Sequence, residues 1–469
     1  MTPEEFRQLG HKLVDWVADY RAHIEDFPVM SQVAPGDIKS KLPKHPPERG
    51  ESLDNALNEI APLILPGITH WNHPSFFAYF PSNAMLPSVL GDLLCAGLGA
   101  QGMSWQTSPA ATELEEVVMD WLRQMTGLSE NFTGTIHDTA STATFCSLLC
   151  ARERSTNYSQ NRGGFHADAP FVVYCSEQAH SSVLKAAMLA GFGREHLRSI
   201  DTDENHALRL DLLEAAIKQD LERGLRPAAL VASVGTTNST AFDPVAGMAQ
   251  LARKYQLWLH VDAAMAGVAM ILPEYRALWE GVEAADSIVM NPHKWLGAGS
   301  DLSAYFVRDP QHLIRVMSTN PAYLQTGHDT EVKNFRDWGI PLGRRFRSLK
   351  LWFLIRDEGV EGIRARLRRD LDNARFFETL VDAAPDWEKL APVQLQTICI
   401  RHKRAGMSEP ELAVHNLRIA TTLNSSGKAY LTPSVLKGKQ ILRVSIGCHT
   451  TERSHVEALW RELRAIVAL

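Results

Sequence analysis

The sequence predicts an α/β protein with a largely parallel central sheet covered by helices, preceded by a helical arm and followed by a small α+β domain. Three observations lead there. First, short apolar, β-branched runs recur between residues 86 and 350: Phe171–Ser176, Leu230–Val234, Leu257–Val261, Ser287–Asn291 and Ala304–Val307. Runs of that length read as buried strands. Second, helical stretches such as Ser182–Leu189 and Leu210–Leu221 lie between several of them, as the crossovers of a parallel sheet require. Third, the texture changes after Arg347 to a long charged helix near Arg364–Leu380, two strand-like runs (Gln396–His402 and Leu442–Ile446) and a last helix at His455–Val467.

The arm comes first in the chain. Thr2 and Glu5 are spaced as a capping box and Pro3 suits the first helical position. Phe6, Leu9, Leu13, Val17 and Tyr20 then recur at helical spacing, giving one apolar face. A connector rich in proline, Phe27 to Gly50, follows. An amphipathic helix with an extended tail needs a surface to bury against, and a partner subunit offers one. The expected division is therefore residues 1–85 as arm, 86–350 as the large domain and 351–469 as the small one.

Composition narrows the function. Of 469 residues, 45% are hydrophobic and 22% charged, with a formal net charge of -6, the profile of a globular protein with no general attraction for nucleic acid or anionic membrane. No apolar run reaches the roughly 20 residues of a membrane span. The start, MTPEEFRQLG, has no basic and apolar leader pattern, so the cytoplasm is the expected location. The six cysteines are scattered and read as buried thiols, since disulfide frameworks belong to short secreted chains.

The chemistry-bearing segment is Ser287-Ile-Val-Met-Asn-Pro-His-Lys-Trp295. A buried strand ends at Asn291, Pro292 stops further ladder bonding, and Lys294 is left at the strand's carboxyl end, the edge where open α/β sheets bind ligands. Desolvation there lowers a lysine's pKa, and the free amine is the nucleophile that imine chemistry uses. A second strand, Leu257-Trp-Leu-His-Val-Asp262, ends in a carboxylate suited to the pyridine nitrogen of pyridoxal phosphate. Asp138-Thr-Ala-Ser-Thr-Ala-Thr144 is rich in hydroxyls and leads into a helix, a natural anion site. Glu177-Gln-Ala-His180 follows another strand and offers an imidazole to stack on a planar cofactor.

In this order the four elements resemble the group II pyridoxal-phosphate decarboxylases, most closely the bacterial aromatic-L-amino-acid (DOPA, tryptophan or tyrosine) type. The resemblance runs over nearly the whole chain. It includes His73-Pro-Ser-Phe-Phe-Ala-Tyr-Phe-Pro81, Ser104-Trp-Gln-Thr-Ser-Pro-Ala-Ala-Thr-Glu-Leu-Glu115, Gly235-Thr-Thr237, His260-Val-Asp-Ala-Ala264 and Ile340-Pro-Leu-Gly-Arg-Arg-Phe-Arg-Ser-Leu-Lys350. It implies the aminotransferase-like fold-type I architecture and a homodimer with exchanged N-terminal arms. It further implies that Lys294 carries the cofactor as an imine, that Asp262 pairs with the pyridine nitrogen and that His180 stacks on the ring. Ala140, Ser141 and Asn291 would hold the phosphate, while Thr237, Ala264 and His293 line the cofactor. Phe80 and Ser82 would line the substrate pocket, with Met103 reaching it from the partner subunit. Tyr323, in Asn320-Pro-Ala-Tyr323-Leu on a polar loop, would supply the proton that converts the decarboxylated substrate to an amine.

Aldehyde synthases of the same family lack either that tyrosine or the stacking histidine. This chain keeps both, which favours the amine. Met265 and Phe335 stand where animal members have tyrosine. Glutamate or cysteine-sulfinate decarboxylation would call for a cationic pocket, whereas Phe76-Phe-Ala-Tyr-Phe-Pro-Ser82 is aromatic and small-polar. Two rivals from other classes are weak. Gly97-Leu-Gly99-Ala-Gln-Gly102 matches a dinucleotide fingerprint but follows helical spacing rather than a strand. His70 and His73 lack a third ligand for a metal, so none is expected.

Overall fold

The computed structural model describes residues 1–165 and 169–468. The chain divides into two compact units. One comprises Met1–Pro81, Arg375–Leu390 and Ile400–Leu469; the other comprises Ser82–Ala374 and Ala391–Cys399.

The second unit is built on a seven-stranded sheet. Its strands are β1 (Thr133–His137), β2 (Phe171–Ser176), β3 (Leu197–Ile200), β4 (Arg226–Ser233), β5 (Trp258–Asp262), β6 (Ser287–Met290) and β7 (Ser303–Val307). Their spatial order is β1-β7-β6-β5-β4-β2-β3. β7 runs antiparallel to both neighbours, while β3, β2, β4, β5 and β6 pair in parallel. The carboxyl ends of every strand but β7 therefore share one edge. β2, β5, β6 and β7 are buried at every position, so they carry continuous apolar runs instead of an alternation, as strands covered on both faces do. β1 and β3 lack that signal: β1 contains Gly134 and His137, and only Ile200 of β3 is buried.

The helix Ala140–Ser155 lies on one face of the sheet. It contributes Ala143, Cys146, Leu148, Cys150 and Ala151 to a core shared with Val173, Val231, Trp258 and Val289. A long helix spans Ser348–Asp382 and is kinked at Gly359, whose φ of 61° only glycine adopts at little cost. It begins well before the charged stretch that marks it in the sequence, because Leu349, Leu351, Leu354 and Ile355 of its first turns are buried.

A second sheet is formed by β8 (Trp387–Lys389), β9 (Thr397–His402), β10 (Thr432–Leu436) and β11 (Lys439–Ser445) in the order β10-β11-β9-β8. The expected capping box is formed: Glu5 N–H donates to Thr2 Oγ1 at 3.2 Å and Thr2 N–H donates to Glu5 Oε2 at 2.6 Å. The helix it opens, Pro3–Ala22, buries none of its residues, and Phe6 is 59% exposed. A second helix, Leu86–Leu98 in the other unit, exposes Leu86, Leu90, Leu93, Leu94 and Leu98. All six cysteines are free and buried. Among the described residues no helix is long and apolar enough to cross a membrane.

Leu259 is fully buried in β5. Leu259→Ala should lower stability by about 2–5 kcal/mol through lost burial and a residual cavity. Denaturant unfolding followed by tryptophan fluorescence reads this as a fall in midpoint; an unmoved midpoint contradicts the packing.

Candidate active site

The shared carboxyl edge gathers the residues singled out in the sequence. Asp262 is the last residue of β5 and pairs with Val289 of β6. Two residues beyond Val289, Asn291 N–H donates to Ala264 O at 2.8 Å, locking the exits of the two strands together. The next turn, Pro292–Leu296, carries His293 and Lys294, and its backbone leaves helical angles at Lys294 (φ -100°, ψ -112°). β2 runs into His180, β4 into Thr237, and β1 into Asp138, Ala140 and Ser141.

His180 caps the helix Ser181–Leu189: Ser182 N–H donates to His180 Nδ1 at 3.2 Å. With Nδ1 as acceptor, the neutral ring carries its proton on Nε2. Desolvation lowers the His180 pKa; Asp262 opposes this and Lys294 adds to it. The His180 ring thus feels both Asp262 and Lys294. Asp262 Oδ1 accepts from Ala264 N–H at 3.1 Å.

Donors able to cradle an anion stand at the same edge. Asn291 is buried, and its Oδ1 accepts from Ser303 Oγ at 2.7 Å, which turns the amide nitrogen into the group left to donate. At the N-terminus of Ala140–Ser155, Thr139 Oγ1 accepts from Thr142 N–H at 3.4 Å, leaving the first-turn N–H groups of Ala140 and Ser141 beside the exposed Ser141 hydroxyl. His293 Nδ1 lies 2.6 Å from Leu302 O and 3.1 Å from Leu302 N. Burial, reinforced by Lys294, lowers its pKa to about 4. Ser82 Oγ donates to His293 O at 3.2 Å.

Beneath this edge, His260 on β5 is fully buried. Its Nδ1 is 2.9 Å from Ser287 Oγ on β6 and its Nε2 is 3.2 Å from Thr144 Oγ1 on the helix Ala140–Ser155. One ring therefore ties together the strand of Asp262, the strand that leads to Lys294 and the helix of the anion cradle. Burial takes its pKa to about 4. Neither this link nor the Ser303 bond was legible in the sequence. Ser303 reaches Asn291 only because antiparallel β7 begins where the other strands end.

The remaining residues are less tightly engaged. Ala264 and Thr237 are half-buried. Met103 is half-buried and its backbone O accepts from Arg336 N–H at 2.8 Å. Phe80 is buried in the first unit, with the Arg443 guanidinium 4.8 Å from its ring centre. Tyr323, in the turn Ala322–Leu324, is 80% exposed. Met265 Sδ accepts from Gln396 Nε2 at 3.2 Å, and Phe335 packs edge-on against Trp338 at 5.6 Å. Both departures are thus packing positions.

The two rivals find no support. Gly99 ends the helix Leu86–Leu98 in a left-handed cap (φ 59°), so the glycine string follows a helix. His70 Nδ1 is engaged by Tyr20 Oη at 2.7 Å, and no cluster of metal-ligating side chains occurs among the described residues.

An amine, a carboxylate and an imidazole at one sheet edge, beside donors able to take an anion, suit a pyridoxal-phosphate enzyme. Comparison narrows the class. Residues 35–403 match the model of the pyridoxal-dependent decarboxylase conserved domain, and the chain belongs to that family. It is 43% identical to phenylacetaldehyde synthase of Arabidopsis thaliana, over 98% of this chain and 95% of the relative. It is 41% identical to tyrosine decarboxylase 4 of Petroselinum crispum, over 99% and 93% respectively. Among solved structures, Oryza sativa TDC with PLP and tryptamine superimposes with a TM-score of 0.96 at 36% identity, covering 99% of this chain and 98% of that one. The chain is accordingly a pyridoxal-phosphate-dependent carboxy-lyase of fold-type I, and the residues at the sheet edge fit that cofactor.

His260 and His293, each near 4 in the folded state, return to about 6.5 on unfolding. Between those values the unfolded chain binds more protons, so stability should fall as pH drops from about 6.5 towards 4. Melting temperatures across that window should decline, and His260→Gln should flatten the slope. An equal slope in the variant contradicts the assignment.

Proposed function

We propose that this chain decarboxylates an aromatic L-amino acid (DOPA, tyrosine, phenylalanine, tryptophan or 5-hydroxytryptophan) to the amine and carbon dioxide, as a cytoplasmic homodimer. The carrying observation is that Asp262 ends β5 and Lys294 follows the adjacent parallel strand β6, with both acting electrostatically on His180. When bound, pyridoxal phosphate supplies the electron sink for cleavage of the bond between Cα and the carboxylate. Lys294 would hold the cofactor covalently. The Asp262 carboxylate would keep a proton on the pyridine nitrogen, and His180 would pack against the ring. Ala140 and Ser141 backbone N–H groups, the Ser141 hydroxyl and the Asn291 amide would hold the phosphate, while Thr237, Ala264 and His293 would border the ring.

Phe80 and Ser82, with Met103 of the partner subunit, line the substrate side. The aromatic string that includes Phe76, Phe77 and Tyr79 favours a flat apolar side chain over an acidic one. Exposed leucines on Leu86–Leu98 and the bare face of Pro3–Ala22, in the arm of residues 1–85, support burial against a second copy. Tyr323 would then enter from its loop and deliver its phenolic proton to the substrate Cα, and the Lys294 amine, by rejoining the cofactor, would displace the product amine. With Tyr323 80% exposed, loop closure must precede that transfer. The likeness to a phenylacetaldehyde synthase favours a second product: where the proton arrives late, dioxygen is reduced to hydrogen peroxide, and water releases aldehyde and ammonia.

Incubation in air with a panel of aromatic amino acids plus glutamate, scoring amine, aldehyde, ammonia and peroxide, decides between these readings. Amine without peroxide is expected; turnover of glutamate alone would overturn the substrate class. Borohydride should trap pyridoxyl at Lys294, and Lys294→Ala should abolish the trapping. Tyr323→Phe should move product from amine towards aldehyde, and an unchanged ratio removes the proton role from Tyr323.

A further inference from the structure

The turn that bears Lys294 is not a regular helix, so its carbonyls need partners from elsewhere. Four are satisfied nearby. Asn291 O accepts from Lys294 N–H at 2.9 Å, Pro292 O from Ala298 N–H at 3.0 Å, and Lys294 O from Gly297 N–H at 3.3 Å. His293 O accepts from Ser82 Oγ at 3.2 Å. The two carbonyls immediately after the lysine, Trp295 O and Leu296 O, are taken by one side chain. Arg366 donates from Nη1 to the first at 2.9 Å and from Nη2 to the second at 2.7 Å.

That guanidinium is itself held in place. Its Nε and Nη2 donate to the two carboxylate oxygens of Glu358, each at 2.8 Å, and its side chain is 7% exposed. One helical turn further along Ser348–Asp382, Asp370 Oδ2 accepts from Trp295 Nε1 at 2.9 Å. Both Trp295 and Asp370 are fully buried. Burial raises the Asp370 pKa to about 6, with Arg369, Trp295 and Arg366 opposing, so at neutral pH the carboxylate is available to both the indole and Arg369. On the other side of the turn, Gly297 has a φ of 104°, and a Cβ there would lie 2.5 Å from Met85 Sδ. The residue after the lysine is therefore fixed through its carbonyl and its ring, and the residue after that through its carbonyl.

We propose that Arg366 and Asp370 are positioning residues for the cofactor-bearing lysine: by clamping Trp295 and Leu296 from the long helix they set the direction in which the Lys294 amine points. This rests on the reading of Lys294 as the cofactor lysine. Neither side chain takes part in the chemistry. Their leverage comes from the peptide planes just after Lys294, since rotation there swings the amine at the end of a long side chain. A displacement of about 1 Å at a reacting group is enough to cost on the order of 100-fold in rate.

The test uses wild-type holoenzyme with Arg366→Met, Arg366→Lys, Asp370→Asn and Asp370→Leu. Borohydride trapping of wild type comes first: absence of pyridoxyl at Lys294 overturns the underlying lysine assignment and not the clamp. With trapping established, Arg366→Met should weaken pyridoxal phosphate binding by about tenfold or more, read by absorbance titration of apoprotein. It should lower kcat by about tenfold while leaving KM within about twofold, because orientation and not substrate contact is lost. The pH midpoint of the visible band should move, and Arg366→Lys should recover part of each loss. Asp370→Asn, which keeps an oxygen for the indole, should stay near wild type, whereas Asp370→Leu should follow Arg366→Met. A lowered melting temperature with binding, kcat and band midpoint all unchanged overturns the proposal. If Arg366→Met does not fold, Arg366→Lys and Asp370→Leu decide by the same measurements, and wild-type values in both overturn it.

Discussion

Everything at the candidate site depends on the parallel pairing of β4, β5 and β6. Parallel hydrogen bonding forces each strand to be followed by a crossover, and so sends every carboxyl end to the same edge. In this register Asp262 stands opposite Val289, and the Asn291–Ala264 bond keeps the two exits together. A slip by one residue would turn Asp262 to the opposite face of the sheet. The continuous burial of β5 and β6 opposes that slip, since any shift would expose apolar side chains or bury the carboxylate unpaired.

Around this edge the polar groups are arranged so that charge is concentrated where a cofactor needs it. His260 and His293 are kept neutral by burial, and the anion cradle is made of backbone N–H groups, a hydroxyl and an amide. Asp262 and Lys294 act on the His180 ring in opposite directions. In the proposed reading, neutral donors would hold the phosphate without adding a second field to compete with the Asp262 carboxylate. Ser303 contributes by fixing which end of the Asn291 amide faces inward.

Much of this was legible in the sequence, for a physical reason. Strands buried on both faces must be apolar throughout, so β2, β5, β6 and β7 stood out as runs, and the polar residues that end them stood out in turn. Lys294, Asp262, His180 and Asn291 were singled out in that way, and the fold brings them to one edge. The expected capping box at Thr2 and Glu5 also formed. What stayed hidden depended on partners distant in the chain. β1 and β3 are too short or too mixed in composition to announce themselves. Arg366 and Asp370 look like ordinary members of a charged helix, and only the fold brings them behind Trp295. Likewise, no local pattern could reveal that His260 would join Thr144 to Ser287.

The six buried thiols make the molecule its own reporter. Burial pushes Cys146 and Cys175 up to about 12, so the reactive thiolate is scarce at neutral pH and the native state resists alkylation. Each cysteine becomes labelled only when its surroundings open, at a rate set by the free energy of that opening. Cys146 and Cys150 sit on the cradle helix, Cys175 on β2 beside it, and Cys448 in the other compact unit. Timed alkylation followed by peptide mapping would therefore read out the opening of these regions separately in the unmodified protein, with no probe added to the fold.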